Sequence, residues 1–357
     1  GNAVVSATIA INNSVPTASA VTIIDNNGGS AVVGDSLSGS YSYADIDNDA
    51  EGVSTFRWLR DGAAITGATT TSYTLVAADS GTSITFEVTP VAATGASPGS
   101  AVVSAGVTIE NSAPVATAVS ISDDNGGSPV VGDNLTGSYI YSDVDNDAEG
   151  ATTFRWLRDG APITGAATAS YTLVVDDSGA SISFEVTPLA GTGVSPGVAV
   201  VSGAINVINS PPVATAVSIS DDNGGSPVVG DNLTAAYTYS DVDNDAEGVS
   251  GYRWLRDGTA ITGATSTTYT LVAADSGASI IFEVTPVATT GVATGAPVAS
   301  AGISVINSAP TVSGVSITDD NGGAAVVGDS LTGNYTYADI DGDVEGVSTF
   351  RWLRDGV

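Results

Sequence analysis

Four times along the chain, alternate carboxylates fall within seven residues. The first run is Asp45, Asp47, Asp49 and Glu51. It returns as Asp143, Asp145, Asp147 and Glu149, as Asp241, Asp243, Asp245 and Glu247, and as Asp339, Asp341, Asp343 and Glu345. Carboxylates spaced this way in a turn can converge on one hard cation, and Ca2+ takes about six to eight oxygen ligands. Left uncompensated they repel one another, so a solvated acidic turn that only adds solubility is the weaker reading. The run is not an EF-hand loop, because Ala50 stands where that motif needs Gly and Phe56 where it needs a bidentate Glu.

Little other chemistry is available. The chain has no His, no Cys and no Lys, and its eight basic residues are all Arg. General acid–base and nucleophilic catalysis draw mostly on the missing types, so the chain reads as non-enzymatic. A glycosidase-like acid pair from Asp45 and Asp49 is formally possible, but four copies without a pocket-forming insertion argue against it. The net charge of −31 repels phosphate backbones and anionic headgroups, which excludes nucleic acid as a partner. No apolar run is long enough to cross a membrane, and Gly1 opens without the basic and apolar regions of a signal peptide, so any export signal is expected outside this segment.

Other polar residues have mainly structural readings. Asp123-Asp124-Asn125-Gly-Gly, with Asp221-Asp222 and Asp319-Asp320, is foremost a turn, with a metal role at the junction as the alternative. Asp79, Asp177 and Asp275, each in Asp-Ser-Gly, are expected to cap their own turns or to pair with Arg60, Arg158 and Arg256. Arg57 and Glu87 fit an outward cross-strand pair. The sequons at Asn134, Asn232 and Asn334 read as polar strand starts.

The elements that must position these residues come in copies. Arg-Trp-Leu-Arg-Asp-Gly begins at Arg57, Arg155, Arg253 and Arg351, 98 residues apart each time. Residues 111–150 and 209–248 agree at 36 of 40 positions. A period of this length suits a self-sufficient small domain and exceeds a solenoid unit. Boundaries are placed at the Asn-Ser-X-Pro segments, where Pro gives a short, stiff linker. Residues 1–12 then match the last strand of a preceding repeat, 13–110, 111–208 and 209–306 are whole repeats, and 307–357 is the first half of another; both ends suggest an excerpt of a longer polymer.

Within a copy, Val-, Ile-, Thr- and aromatic-rich runs alternate with Gly, Asp and Asn clusters at intervals of about 8–12 residues, which is an all-β signal. In the first copy seven strands are predicted, over 19–24, 35–43, 55–62, 64–67, 71–76, 82–91 and 100–110. Alternation puts Phe56 and Trp58 on one face of the third strand and Arg57 and Leu59 on the other. Phe56, Trp58, Tyr73, Leu75, Phe86 and Val88 form the expected core.

The order Trp-Leu-Arg-Asp-Gly, then Tyr-Thr-Leu, then Asp-Ser-Gly leading to Phe-Glu-Val-Thr-Pro resembles strands C, E and F of bacterial immunoglobulin-like (Big, cadherin-like) repeats. Such repeats build large cell-surface adhesins, S-layer-associated proteins and extracellular matrix proteins. The resemblance implies a tandem array of seven-stranded immunoglobulin-like β-sandwiches, without the bridging cysteines of antibody domains. It also implies an extracellular or cell-surface location. The acidic run joins the second and third strands and therefore faces the preceding repeat, beside Asn111 and the turn holding Asp79, so a metal there would clamp neighbouring repeats.

Two functions fit. One is a calcium-rigidified stalk or extender of a bacterial surface adhesin, whose partners are neighbouring repeats of the same chain. The other is a subunit of a self-assembling extracellular filament or sheath, whose partners are identical chains. The first is favoured by near-identity of the copies; the second by a charged fraction of only 13% and a mean hydropathy of +0.23.

Overall fold

A computed structural model describes residues 2–357. The first copy forms strands β1 (Thr17–Asp25), β2 (Ser36–Ala44), β3 (Thr55–Arg60), β4 (Ala63–Ala64), β5 (Ser72–Thr74), β6 (Ser83–Thr89), β7 (Val102–Val103) and β8 (Val107–Thr108). They make two antiparallel sheets, one ordered β1-β2-β5 and the other β4-β3-β6-β7, with β8 also on β6. This is the immunoglobulin-like sandwich, and the same strand set recurs in the second and third copies. By internal contact the chain falls into two compact units. One comprises residues up to Gly127 with Asn134–Tyr171 and Ser181–Ile205; the other comprises Ser128–Asp133, Thr172–Ala180 and Asn206–Val357.

Alternating apolar residues meet between the sheets. Trp58, Phe86, Val88 and Ile84 are fully buried, with Leu37, Leu75 and Ile109 around them, and Phe56 and Tyr73 packed at the edge. Each large side chain so buried contributes about 1.5–3 kcal/mol. The aromatic rings run as a chain, Tyr41–Phe56–Phe86–Trp58–Tyr73, with centroids 5.6, 5.7, 4.9 and 5.7 Å apart. The Trp58 indole N–H donates to the Thr70 carbonyl at 2.9 Å, so the ring buries no orphan donor. Gly39 lets β2 cross the Phe86 ring, which a Cβ would approach to 2.5 Å. The third copy carries Ala235 there, and its Trp254–Phe282 pair is turned to an edge contact.

Two irregularities have local causes. Register shifts in β1 between Ser19 and Thr22, where Ala20 has φ 50°, a bulge that bends this edge strand. The predicted seventh strand arrives in two pieces because the Ser104 hydroxyl takes the Phe86 N–H at 3.0 Å, replacing a ladder bond. Leu59, on the outward face of β3, is nonetheless 7% exposed, since β3 is flanked there by β4 and β6.

The segments at either end differ from the whole copies. Residues 2–12, predicted as a last strand, form none; Gly1 lies outside the described residues. Their counterparts in the first copy pair with the sixth strand of that copy. In the fourth copy Thr311–Asp319 and Leu331–Ala338 pair, but the segment holding Phe350 and Trp352 forms no strand. Without a sixth strand beside it, Trp352 is 60% exposed, whereas its three counterparts are fully buried.

Candidate metal centre

The acidic loop follows the second strand and is shaped by its own residues. In the second copy the Asp145 N–H donates to Asp143 Oδ1 at 2.8 Å, and the Asn146 N–H to the Asp143 carbonyl at 3.2 Å. Asn146 sits at φ 62°, as Asn48 and Asn244 do at 58° and 63°, and the fourth copy places Gly342 there at 81°. Asn and Gly are the residues that tolerate this left-handed backbone, and the turn brings the flanking carboxylates to one side. One oxygen from each of Asp143, Asp145 and Asp147 lies within 4.8 Å of the other two. That is about twice a Ca2+–oxygen bond, so all three fit around one ion.

The linker and the loop between the sixth and seventh strands hold the outer oxygens. Ser112 N–H donates to Asp145 Oδ2 at 2.6 Å, Asn111 Nδ2 to Asp147 Oδ2 at 2.7 Å, and the Thr192 hydroxyl to Asp147 Oδ1. The Val194 N–H donates to Asn111 Oδ1. The inner oxygens are different. Asp143 Oδ2 and Asp145 Oδ1 are buried with no hydrogen-bond partner, and so are Asp241 Oδ2 and Asp243 Oδ1 in the third copy. Asp145 and Asp243 are only 8% and 6% exposed. A buried carboxylate oxygen without a partner costs about 1–3 kcal/mol or more, and a cation is the species that removes the cost at two such oxygens together.

Electrostatics agree with charged carboxylates. The Thr192 hydroxyl and then the Asn111 amide hold the Asp147 carboxyl below its ordinary value, and Asp49 and Asp245 are lowered by the equivalent Thr and Asn. At the foot of the loop, burial and then the hydrogen bond to Glu149 push the Tyr139 hydroxyl up.

No protein-family model matches the sequence, and no curated protein does. Among solved structures, the chain is similar to the three N-terminal domains of the Highly Immunogenic Outer Capsid protein (Hoc) of bacteriophage RB49. Identity is 14%, with 81% of this chain and 99% of that one covered and a TM-score of 0.26. It is also similar to a Ca2+-stabilized adhesin that helps an Antarctic bacterium reach out and bind ice, at 12% identity, covering 84% and 76%, with a TM-score of 0.29.

The fourth acidic residue of each run stands apart from the three-Asp cluster. Glu149 Oε1 accepts from the Tyr139 hydroxyl at 2.5 Å and the Thr152 hydroxyl at 2.6 Å, and Glu51 from Tyr41 and Ser54 in the same way. Glu247 is held by Tyr237 and Ser250, and Glu345 by Tyr335 and Ser348. These glutamates tether the end of the loop to the sandwich. In the acidic loop of the first copy Asp45 Oδ2 is buried without a partner, and Asp47 is exposed. In the fourth, Asp341 Oδ1 is buried and unpartnered beside Asp339 and Asp343.

Asp79 and Asp275 take the structural roles expected of them. Asp79 is fully buried, accepts from Arg60, from the Tyr73 hydroxyl at 2.8 Å and from the Val76 N–H at 2.8 Å, and so both caps its turn and pairs; Asp275 repeats this with Arg256, Tyr269 and Val272. Burial and then the Asp79 hydrogen bond push the Tyr73 hydroxyl up to about 12. Arg57 grips Glu87 with two nitrogens across β3 and β6, and Arg253 faces Glu283 likewise. Asp123 Oδ1 caps its turn through the Asn125 N–H, while its Oδ2, like that of Asp25, Asp221 and Asp319, is buried without a hydrogen-bond partner; Asp124 Oδ2 takes Asn134 Nδ2 at 2.6 Å and Thr136 at 3.0 Å, so the sequon asparagine is engaged at a strand start. The threonine of the sixth-to-seventh loop, at Thr94, Thr192 and Thr290, is a partner sequence reasoning missed. Its 98-residue recurrence was the available signal.

Proposed function

We propose that the acidic loops bind Ca2+ through Asp143, Asp145 and Asp147 and their counterparts, and that the repeats form a stalk or extender of a bacterial surface adhesin. The observation that carries this is the pair of buried, unpartnered inner oxygens on Asp143 and Asp145, repeated on Asp241 and Asp243. The cation offsets three adjacent negative charges and fixes the linker residues Asn111 and Ser112, which already grip the same carboxylates. Each 98-residue copy acts as one unit, whose partners are its neighbours in the same chain. The assembly works outside the cell without catalysis, and cations balance its −31 charge. Among the described residues no helix is long and apolar enough to cross a membrane.

Calorimetric titration of the chain with CaCl2 tests the cation reading. Binding is expected with dissociation constants of about 0.1–1 mM, the range of extracellular modules, and is expected to weaken when Asp145 and Asp243 are both changed to Asn. Absence of binding at 10 mM Ca2+, on the order of ten times the weakest expected constant, would refute it.

A further inference from the structure

Three of the acidic loops follow a complete copy, and in each the middle aspartate is buried: Asp145, Asp243 and Asp341 are 8%, 6% and 7% exposed. Ile340 Cδ1 lies 3.4 Å from where a Cβ on Gly230 would stand, and Ala273 Cβ lies 3.7 Å from the same point on Gly342. Both Gly230 and Ala273 belong to the turns at the far end of the third copy.

One side chain spans each joint. Asn111 Nδ2 donates to Ser80 Oγ of the preceding copy at 3.1 Å and to Asp147 Oδ2 of its own loop at 2.7 Å, while its Oδ1 accepts from Val194. Asn209 repeats this with Ser178, Asp245 and Val292, and Asn307 with Ser276 and Asp343.

We infer that Asn111 and Asn209 are positioning residues that relay between the preceding copy and the cation loop, so that joint closure and cation binding strengthen each other. The preceding copy supplies no carboxylate; it supplies a hydroxyl that orients the asparagine and a surface that excludes water from the inner oxygens. Water exclusion strengthens a charge interaction, and an oriented Asn holds the third aspartate ready. Coupling of this kind is reciprocal: whatever the joint adds to cation affinity, the cation adds to the joint. The inference rests on the cation reading above and assigns its regulation.

The test is calorimetry of the full chain with CaCl2, compared with the double variant Ser80→Ala, Ser178→Ala, which removes the inter-copy bond and no carboxylate. The second and third loops, each with its asparagine bonded to a serine of the preceding copy, should bind Ca2+ in the unaltered chain. Loss of one hydrogen bond per joint should weaken binding at these two loops about two- to tenfold, with stoichiometry unchanged and tryptophan fluorescence confirming an intact core. Ser80→Thr with Ser178→Thr keeps the hydroxyl and should restore the affinity. Affinities at these loops untouched by the Ala variant would overturn the relay while leaving the cation reading intact; no binding in either chain would instead sink the cation reading itself.

Discussion

Replacing Asp145 and Asp243 together by Asn should raise stability without calcium and remove most of the stabilisation that calcium gives. In each loop the Asp Oδ2 accepts the linker Ser112 or Ser210 N–H, a bond that an amide oxygen can keep. The other atom, Oδ1, is buried without a partner in both loops, and in the second copy two more carboxylates lie beside it. An amide N–H2 in that place donates to those carboxylates and removes one of three like charges, so the calcium-free variant should gain about 1–3 kcal/mol per site, the cost of the orphan acceptor. With calcium most of that advantage is offset. A ligand present at about 10–100 times its dissociation constant stabilises by about 1.4–2.7 kcal/mol, and the variant forgoes most of this. For repeats near 100 residues, about 1 kcal/mol moves the midpoint by roughly 4–8 °C. Thermal unfolding followed by tryptophan fluorescence, in EDTA and in 10 mM CaCl2, reads both arms. The expected result is a higher midpoint than the unaltered chain in EDTA and a calcium-induced rise in midpoint much smaller than that of the unaltered chain. Equal destabilisation in both conditions would show that Oδ1 makes a structural contact, and the cation argument would fail.

Other perturbations separate the structural aspartates from the loop. Asp79→Ala leaves Arg60, Tyr73 and the Val76 N–H without their fully buried acceptor, and should cost about 3 kcal/mol or more in urea unfolding, independent of calcium. Arg57→Ala removes a half-exposed side chain but leaves Glu87, 8% exposed, without the guanidinium that holds both its oxygens, and should cost about 1–3 kcal/mol in the same assay, also independent of calcium. Acrylamide should quench Trp58, Trp156 and Trp254 poorly, since all three are fully buried. Because hydrogen bonds from Thr192 and Asn111 depress the folded Asp147 carboxyl, they stabilise the loop above the ordinary carboxylate value, about 3.9, and the contribution is lost as pH falls through the lower folded value. A carbon-13 titration of the Asp147 carboxyl should therefore show a midpoint below 3.9.

Most of the fold was legible because the signals were local. Period-two alternation placed Phe56, Trp58, Phe86 and Val88 in the core, and the 98-residue recurrence set the repeat. The broken seventh strand was not legible, since it depends on the Ser104 hydroxyl meeting the Phe86 N–H across the sheet. The site divided in the same way. Convergence of alternate carboxylates followed from spacing and from an Asn that tolerates left-handed backbone. That Glu149 would turn away to Tyr139 and Thr152 did not follow, because both partners are brought there by the sandwich. The placement of Asn111 beside the preceding copy's Asp79 turn was foreseen from strand order, and its bond to Ser80 is the detail that the structure adds.

The central claim is that buried carboxylate oxygens in each complete loop coordinate a cation. A crystal structure of the chain grown in CaCl2, with anomalous data collected to locate calcium, tests it most directly. The account predicts an anomalous peak within about 2.3–2.6 Å of Asp143 Oδ2, Asp145 Oδ1 and an Asp147 oxygen, and a matching peak at Asp241, Asp243 and Asp245. A loop in which those inner oxygens face only water at saturating calcium would contradict it.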